Sequence, residues 1–368
     1  MEFRIEVVDG KARAGACRLG AGEFRTPAFM PVGTRGVVKA MTAEEIDRMG
    51  FGLVLCNAYH LYLRPGVEVV EAAGGLRKFM GWGGLILTDS GGYQIFSLKG
   101  MTRIEETGVE FRSHLDGSAH FFTPESCVEL QARLGADIMM ALDVCPPYGA
   151  PAQEIERAAA LTGRWASRCR KVDLPEGRAL FGIVQGGVYP EMRERSAHEL
   201  TALDFPGYAV GGVSVGEPRE LTREMTELTA GFLPADRPRY VMGVGTPPDV
   251  LHAVGSGCDM FDCVLPTRMA RNGAVFTARG RVALRNAKHA KSEAPLDPEC
   301  GCEVCERYSR AYVRHLFMSN EITAARLATF HNLCFYAKMM NLARDAIVEG
   351  RFESLRRDFV AKYEEGES

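Results

Sequence analysis

Short, nearly continuous apolar runs recur along the chain, and each gives way to small or polar residues and then to an amphipathic stretch. Strands that are buried on both faces, as in a parallel sheet, have this pattern. The predicted strands cover residues 28–34, 52–60, 84–92, 137–144, 179–187, 208–216, 239–246 and 258–265. Eight strand–helix alternations predict a (β/α)8 TIM barrel of the α/β class, although periodicity alone leaves a doubly wound open sheet as the alternative.

Helix signals occupy the segments between these runs. Thr42 and Glu45 have the spacing of a capping box, which predicts a helix start. Residues 123–135 begin with a Thr-Pro pair and end in glycine, as capped helices do. Both signals support the alternation of strands and helices.

Three segments fall outside the alternation. Residues 1–25 alternate polar and apolar positions and are predicted to form antiparallel strands that cap the barrel. Residues 93–122 contain a hairpin pattern that turns at an Asp-Gly pair, so we expect an enlarged third strand–helix loop. Residues 266–335 insert basic residues and a cysteine cluster near the last strand and helix. The predicted domains are therefore the cap (1–25), the barrel (26–368) and an insertion (266–335) within it.

Composition narrows the class of protein. The 368 residues are 46% apolar and 25% charged, as in ordinary globular proteins. The apolar runs are too short to span a membrane, and the N-terminus lacks a signal-peptide pattern. The eleven cysteines lie mostly in apolar runs, which indicates reduced thiols rather than disulfides. We therefore expect a cytoplasmic protein with no membrane partner.

Charge is distributed unevenly along the chain. Residues 263–292 hold seven Lys or Arg and no Asp or Glu, although the net charge of the whole chain is −3. A local basic surface on a nearly neutral protein indicates a specific polyanionic partner. Asp262 immediately precedes this segment, at the end of the last predicted strand. From the pattern alone, Asp262 could be a catalytic group, a metal ligand or an ion-pair partner of the basic stretch.

Polar residues mark the ends of the predicted strands. In a (β/α)8 barrel the carboxyl ends of the strands form one face, where active sites lie. The strand-end residues are Asn57, Asp89, Ser90, Asp143, Gln185, Gly211, Gly212, Met242, Gly243 and Asp262. A single aspartate there could simply cap a helix or pair with an arginine. Three carboxylates and a carboxamide together favour an active site, in which two carboxylates act as nucleophile and general acid/base at an acetal-like carbon. Glycine-rich phosphate and dinucleotide fingerprints are missing from the sequence, so no nucleotide cofactor is expected.

Cys300, Cys302 and Cys305 follow the spacing C-x-C-x2-C, which supplies three thiolates and leaves one position of a tetrahedral metal site open. His331 lies 26 residues after Cys305, on a predicted helix. A lone histidine on such a helix is usually a core residue, but the incomplete cysteine set favours its role as fourth ligand. We predict one structural Zn²⁺ per subunit, which holds down the basic segment.

Long motifs follow one another along nearly the whole chain. They are TPAFMPVGT (26–34), NAYHLYLRPG (57–66), LTDSGGYQIFSL (87–98), FGIVQGG (181–187), GGVSVGE (211–217), MGVGTP (242–247), FDCVLPTRMARNG (261–273) and the cysteine cluster with His331. Together, and in this order, they resemble the tRNA-guanine transglycosylases (queuine tRNA-ribosyltransferases) of the bacterial type. The resemblance implies a barrel in which the 266–335 insertion is a zinc-binding and tRNA-docking subdomain, a pentosyltransferase activity and a homodimer.

The resemblance also implies a reaction. The wobble guanine (position 34) of G-U-N anticodon tRNAs, those for Asp, Asn, His and Tyr, is exchanged for 7-aminomethyl-7-deazaguanine (preQ1) in queuosine biosynthesis. Keeping the sugar configuration requires two displacements and hence a covalent enzyme–RNA intermediate. Asp262 matches the family's nucleophile and Asp89 its general acid/base. The expected substrates are the tRNA anticodon loop and preQ1 or guanine.

The base-binding residues are likewise implied by the resemblance. Asp143 would accept hydrogen bonds from N1–H and the 2-amino group, and Gln185 and Gly212 would serve the remaining edge of the base. The other base-pocket matches are Ser90, Tyr93, Val213, Glu217 and Met242. The RNA-binding candidates are Arg268 and Arg271 beside the target, and Arg285, Lys288 and Lys291 beyond it, where a solvated surface role is equally compatible with the sequence.

Two other functions are compatible with these motifs. A non-catalytic tRNA-binding subunit of a heteromer would be expected to lack the catalytic aspartates, whereas Asp89 and Asp262 are both present. A base-removing glycosidase would use water in place of the incoming base.

Overall fold

The protein was analysed as a computed structural model that describes residues 1–20, 22–96 and 102–366. The strands are β1 (Glu2–Asp9), β2 (Ala12–Leu19), β3 (Gly22–Thr26), β4 (Ala28–Met30), β5 (Leu53–Asn57), β6 (Leu85–Asp89), β7 (Thr102–Ile104), β8 (Val109–Arg112), β9 (Ala119–Phe122), β10 (Ile138–Met140), β11 (Ala179–Val184), β12 (Gly207–Val210), β13 (Arg239–Val241), β14 (Met260–Asp262), β15 (Ala274–Thr277) and β16 (Gly280–Ala283). The helices are α1 (Ala43–Arg48), α2 (Ala58–Leu63), α3 (Val67–Ala72), α4 (Leu76–Met80), α5 (Gly92–Phe96), α6 (Pro124–Leu134), α7 (Ala152–Cys169), α8 (Pro190–Thr201), α9 (Arg219–Phe232), α10 (Pro247–Gly255), α11 (Leu265–Arg271), α12 (Glu303–Arg307), α13 (Arg310–Met318), α14 (Ile322–Val348) and α15 (Phe352–Glu365), with a 3₁₀ turn at Ala287–His289.

The eight predicted runs correspond to the strands of one parallel sheet. Its order is β4-β14-β13-β12-β11-β10-β6-β5, and every neighbouring pair is parallel. The sheet closes on itself where Val32, just beyond β4, forms a parallel bridge with Leu55 of β5. The barrel prediction is therefore confirmed, and the open-sheet alternative is wrong. The observed strands are shorter than the runs because the residues after each strand turn into the loops that line the barrel mouth.

The N-terminal strands β1, β2 and β3 form an antiparallel sheet that covers one end of the barrel. Cys17, Leu19 and Phe24 of this sheet pack into the cluster formed by the inward-facing side chains of the barrel strands. Arg13 of β2 forms a buried ion pair with Asp259, which lies just before β14. Asp259, rather than Asp262, therefore makes the structural ion pair of the last strand.

Helix caps and the enlarged loop agree with the sequence. The Thr42–Glu45 capping box forms, and α6 has Thr123 as its N-cap and Gly135, in a left-handed conformation, as its C-cap. Strands β8 and β9 form the predicted hairpin, where the backbone N–H of Ser113 donates to the carbonyl of Ser118 at 2.8 Å. The additional strand β7 pairs with β8 and was not foreseen. Ser97 and Leu98, which end the LTDSGGYQIFSL motif, lie outside the described residues.

The segment between β14 and α14 has its own apolar core. Side chains from α11, β15, α12 and α13 meet there, among them Val275, Leu284, Leu296, Val304, Val313 and Phe317. Helix α14 is 27 residues long and packs on both this core and strands β1 and β2 of the cap. The predicted end of the insertion, residue 335, lies inside α14. The boundaries of the cap, the barrel and the insertion remain predictions. Among the described residues, no helix combines the length and apolarity needed to cross a membrane.

Candidate active site

A cavity of about 660 Å³ lies at the carboxyl ends of the barrel strands. Its wall brings together residues that are far apart in sequence, as the barrel prediction requires. The predicted site residues that line it are Asp89, Ser90, Tyr93, Asp143, Gln185, Gly212, Val213, Glu217, Met242, Asp262 and Arg268. All of the predicted catalytic and base-binding residues are thus found in one cavity.

Asp262 is the last residue of β14, and the barrel holds its carboxylate by one oxygen. Oδ1 accepts hydrogen bonds from the Tyr240 hydroxyl at 2.6 Å and from the Gly243 backbone N–H at 2.9 Å. Tyr240 is itself fully buried on β13. Oδ2 has no hydrogen-bond donor among the residues that the structure describes. Burial raises the pKa of Asp262, and the two donors oppose that increase.

Asp89 is the last residue of β6 and lines the same cavity. Its Oδ1 accepts from the backbone N–H of Ala58 at 2.9 Å, and its Oδ2 accepts from the Asn57 side-chain amide. Burial raises the pKa of Asp89 to about 7 despite these two hydrogen bonds, and the negative charge of Asp262 adds to the increase. A carboxyl group with such a pKa exchanges a proton near neutral pH, which is what a general acid/base requires.

Asp143 follows β10 and forms a hydrogen-bonded group with two neighbours. Gln185 Nε2 donates to Oδ2 of Asp143 at 2.7 Å, and Ser90 Oγ lies 3.3 Å from Oδ1. Burial raises the pKa of Asp143 to about 6. Gly212 adopts φ +62°, and a Cβ there would lie 2.4 Å from Gln185 Oε1, so only glycine allows this close approach. The cavity wall therefore offers carboxylate, carboxamide and backbone groups side by side.

The loop after β12 is held by Glu217. The Glu217 carboxylate accepts hydrogen bonds from the backbone N–H groups of Ser214 and Val215, and from the Thr222 hydroxyl at 2.7 Å. In a planar trans peptide the N–H and C=O groups point in opposite directions. Since the Ser214 N–H points to Glu217, the Val213 carbonyl of the same peptide points away from it.

Arg193 is a residue of the site that sequence reasoning missed. It is completely buried on α8, and its guanidinium donates to the carbonyls of Gly187 at 2.6 Å, Gly211 at 3.1 Å and Gly212 at 3.0 Å. Burial lowers the pKa of Arg193 to about 10. Carbonyl groups, rather than a carboxylate, satisfy this cation, and they belong to the loops that carry Gln185 and Gly212. Arg193 therefore positions both loops.

The residues that support the site, Asn57, Tyr240 and Arg193, differ in how far the sequence alone could identify them. Asn57 was visible as a polar residue at a strand end. Tyr240 lies inside an apolar run, where a tyrosine has no distinguishing mark. Arg193 lies in an amphipathic stretch rich in charged residues, so nothing in the local pattern separates it from the exposed Arg195 on the same helix.

The cysteine cluster and His331 come together as predicted. The ligand atoms of Cys300, Cys302, Cys305 and His331 all lie within 4.8 Å of one another. His331 Nδ1 lies 3.2 Å from Cys305 Sγ, and its Nε2 lies 2.7 Å from the Phe276 carbonyl. The Nε2–H group therefore donates to that carbonyl, which leaves the Nδ1 lone pair for a metal. This donor set fits a closed, four-coordinate metal site, and Asp262 is not part of it.

The predicted RNA-binding residues are more dispersed. Arg268 lines the cavity at the barrel mouth, whereas Arg271, Arg285, Lys288 and Lys291 do not. Arg285 donates to the Phe317 carbonyl at 3.2 Å, and its guanidinium lies 5.1 Å from the centre of the Phe317 ring. Lys288 lines a separate cavity. Of this predicted set, Arg268 alone is placed beside Asp262.

The chain is similar to proteins of one family. A family model described as queuine tRNA-ribosyltransferase matches residues 9–365. A queuine tRNA-ribosyltransferase of Caldanaerobacter subterraneus subsp. tengcongensis is 54% identical over 354 residues, which cover 96% of this chain and 94% of that protein. One from Thermoanaerobacter sp. (strain X514) is 53% identical over 366 residues, or 99% of this chain and 98% of that protein. One from Nitratidesulfovibrio vulgaris (strain DP4) is 51% identical over 366 residues, or 99% and 97%.

The matched region contains the barrel, the cavity at its mouth and the Cys3His cluster. The prediction that the chain is an enzyme of the pentosyltransferase class is confirmed by these matches. The chain belongs to the queuine tRNA-ribosyltransferase family.

Proposed function

We propose that the protein exchanges the wobble guanine of G-U-N anticodon tRNAs for preQ1 by double displacement. The observation that carries this proposal is the pair of carboxylates in one cavity. Asp262 is fixed through Oδ1 and has Oδ2 without a donor among the described residues, and Asp89 has a pKa of about 7. One group is thus arranged to attack carbon, and the other to carry a proton.

In the first displacement, Oδ2 of Asp262 attacks C1′ of the target ribose as the N-glycosidic bond breaks. The electron pair of that bond goes to the departing guanine, which takes a proton from Asp89. In the second displacement, Asp89 removes a proton from the incoming base, whose nitrogen then displaces Asp262 from C1′. Two inversions retain the sugar configuration, and one N-glycosidic bond replaces another, so no nucleotide triphosphate is consumed.

The polar wall of the cavity would recognise the base. Asp143 supplies two acceptor oxygens, which match the N1–H and 2-amino donors of guanine or preQ1. Gln185 and the Gly212 backbone would contact the opposite edge, and Tyr93 and Met242 would pack on the faces of the ring. The Val213 carbonyl, which faces away from Glu217, would accept a hydrogen bond from the aminomethyl group of preQ1. The target nucleotide must leave its stack to reach this depth.

Incubation with unmodified tRNA and labelled guanine, without any nucleotide triphosphate, tests the proposal. Label that enters intact tRNA supports exchange. Abasic tRNA would indicate a hydrolytic glycosidase instead, and binding without reaction would indicate a tRNA-binding subunit. Repeating the incubation with preQ1 and with queuine, and with tRNAs that differ at the wobble position, tests the substrate range.

The rate of the first displacement should fall as pH rises above about 7. Asp89 must be protonated to act as the acid, and above its pKa of about 7 the protonated fraction falls about tenfold for each pH unit. We expect kcat/KM for tRNA to follow this fraction in a pH series from 6 to 9. Asp89→Asn should react far more slowly and lose this pH dependence. A wild-type rate that is constant across the series would contradict the assignment of Asp89.

Arg193→Lys should weaken base binding on the order of tenfold, about 1.4 kcal/mol. A lysine ammonium cannot hold the carbonyls of Gly187, Gly211 and Gly212 together as the planar guanidinium does. Calorimetric titration with guanine measures this loss. The matched control is Arg195→Lys on the same helix, which has an exposed side chain paired with Glu156. Unchanged guanine affinity in a folded Arg193→Lys protein would show that Arg193 does not position the base pocket.

We infer that the metal of the Cys3His cluster is zinc. Three thiolates and one imidazole are the ligands of structural zinc sites, and they leave no open position for substrate. Cys300, Cys302, Cys305 and His331 would hold the ion, and its contribution would be to fold stability rather than to the reaction.

A homodimer is also proposed, as the resemblance implies. Helix α13 and the start of α14 carry exposed apolar side chains: Tyr312 is 43%, Met318 is 53% and Ile322 is 85% exposed. The rings of Tyr308 and Tyr312 stack at 5.3 Å. A second copy of the chain would cover these side chains, and light scattering would measure the mass of the assembly.

A further inference from the structure

Ser214 has an unfavourable backbone conformation at the rim of the cavity at the barrel mouth. It belongs to the loop that follows β12 (residues 211–218, the β12 loop), and its exposed side chain lines the cavity. Its φ of 60° is left-handed, although it is not a glycine. A residue with a side chain keeps this conformation only where surrounding contacts hold it there. The contacts of Ser214 are therefore informative about the site.

Two hydrogen bonds hold Ser214 to different parts of the chain. Its backbone N–H donates to the Glu217 carboxylate within the β12 loop. Its hydroxyl donates to the backbone carbonyl of Gly243 at 3.1 Å. Gly243 lies in the loop that follows β13 (residues 242–246, the β13 loop), and β12 and β13 are neighbouring strands of the barrel. The Ser214 hydroxyl thus joins two adjacent loops of the barrel mouth.

Gly243 connects Ser214 to Asp262. The Gly243 N–H donates to Oδ1 of Asp262 at 2.9 Å, while its C=O accepts from Ser214, so a shift of this one residue changes both bonds. The other donor to Oδ1, the Tyr240 hydroxyl, belongs to a residue of strand β13 itself. Of these two supports of the carboxylate, Gly243 is the one that lies on a loop and is held by a contact from another loop.

Ion pairs join the same two loops at their far ends, where the β12 loop leads into α9 and the β13 loop into α10. Arg219 and Arg223 of α9 donate through Nε to Oδ1 of Asp249 on α10, at 2.6 Å and 2.7 Å. Because these ion pairs do not involve Ser214, loss of its hydroxyl should leave the two helices in place. The Ser214 hydrogen bond differs from them in that it ends on Gly243 itself.

We propose that Ser214 is a positioning residue for Asp262. Its hydroxyl holds the Gly243 carbonyl, and Gly243 in turn holds Oδ1, which keeps Oδ2 in place to attack. This inference rests on the proposed function, in which Oδ2 attacks C1′ of the target ribose. A small displacement of a reacting atom lowers the rate of reaction even where binding is unchanged. Since Ser214 directly follows Val213, one short segment would serve both the base pocket and the nucleophile.

Ser214→Ala tests this role, because it removes the hydroxyl and keeps a side chain at the left-handed position. The rate of covalent adduct formation at saturating tRNA should fall about three- to tenfold, the loss expected for one neutral hydrogen bond. Guanine affinity in a calorimetric titration should stay unchanged, because Asp143, Gln185 and Gly212 are not altered. The matched control is Ser256→Ala, which also removes a hydroxyl that donates to a backbone carbonyl at 3.1 Å, but lies between α10 and β14 and outside the cavity wall. It should leave both quantities unchanged.

A double-mutant cycle with Tyr240→Phe tests whether Ser214 acts through Asp262. Without the Tyr240 hydroxyl, Gly243 is the remaining hydrogen-bond donor to Oδ1 among the described residues. The support that Ser214 gives to Gly243 should then matter more. We expect Ser214→Ala to slow adduct formation by a factor about threefold larger in the Tyr240→Phe protein than in the wild type.

Three results would overturn the inference. The first is adduct formation in Ser214→Ala that is as fast as in Ser256→Ala. The second is an equal factor in the wild-type and Tyr240→Phe backgrounds, which would show that Ser214 does not act through the support of Asp262. The third is a wild-type rate in Ser214→Gly, which lacks the hydroxyl but adopts the left-handed conformation freely; the effect of alanine would then belong to the backbone. Failure of the proposed function would appear separately, as a wild-type protein that incorporates no guanine, and would remove the reaction that Ser214 is inferred to support.

Discussion

Asp262→Asn should reduce guanine exchange at least on the order of a thousandfold and abolish the covalent protein–tRNA adduct. The amide oxygen can still accept from Tyr240 and Gly243, as Oδ1 does in the wild type, so the side chain should keep its position. What is lost is the nucleophilic oxygen. Denaturing gel electrophoresis of enzyme mixed with labelled tRNA measures the adduct, and label incorporation measures exchange.

The fold of the Asp262→Asn protein provides the control. Burial raises the pKa of Asp262 in the folded state above its unfolded value. Wild-type stability therefore decreases as pH rises from the unfolded pKa through the folded pKa, because the native state must lose a proton that it holds more tightly. The asparagine variant avoids this cost, so its Tm at pH 8 should equal or exceed that of the wild type. An adduct that persists in a folded Asp262→Asn protein would exclude Asp262 as the nucleophile.

The barrel and its mouth could be predicted because their signals are local. A strand buried on both faces appears as an apolar run, and the residue that ends the run must lie at the barrel mouth once the fold is known. Asp89, Asp143 and Asp262 were found in this way. The metal cluster could likewise be predicted from the sequence, because three of its ligands lie within six positions of one another and only His331 is distant.

The supporting contacts could not be predicted, because they join residues that no local pattern connects. Arg193 reaches Gly211 and Gly212, eighteen and nineteen positions away, and a helical period does not say which arginine points inward. His289 belongs to a basic stretch that looks uniformly solvated in sequence. Its buried Nε2, which has no hydrogen-bond partner among the described residues, is revealed only by the packing of α13 and the β15–β16 hairpin around it.

Cys302→Ser should release the metal and unfold the segment between β14 and α14. Cys302 is 8% exposed and belongs both to the ligand cluster and to the apolar core of this segment. Structural zinc contributes about 10–16 kcal/mol to folding in zinc-finger peptides, which is comparable to the whole stability of a typical domain. We expect the metal content, measured by mass spectrometry, to fall from one ion per chain to near zero.

The matched control is Cys334→Ser on α14, three residues after His331 and outside the set of four ligands. It should keep its metal. Because Asp143, Gln185 and Asp262 lie on barrel strands or just after them, the Cys302→Ser protein should still bind guanine if the barrel remains folded. It should fail to bind tRNA, since all five predicted RNA-binding residues, Arg268 among them, lie in the segment that the metal would hold. A full metal complement in the Cys302→Ser protein would show that the ligand set is wrong. Normal tRNA binding by a metal-free protein would show that the metal cluster is not needed for tRNA binding.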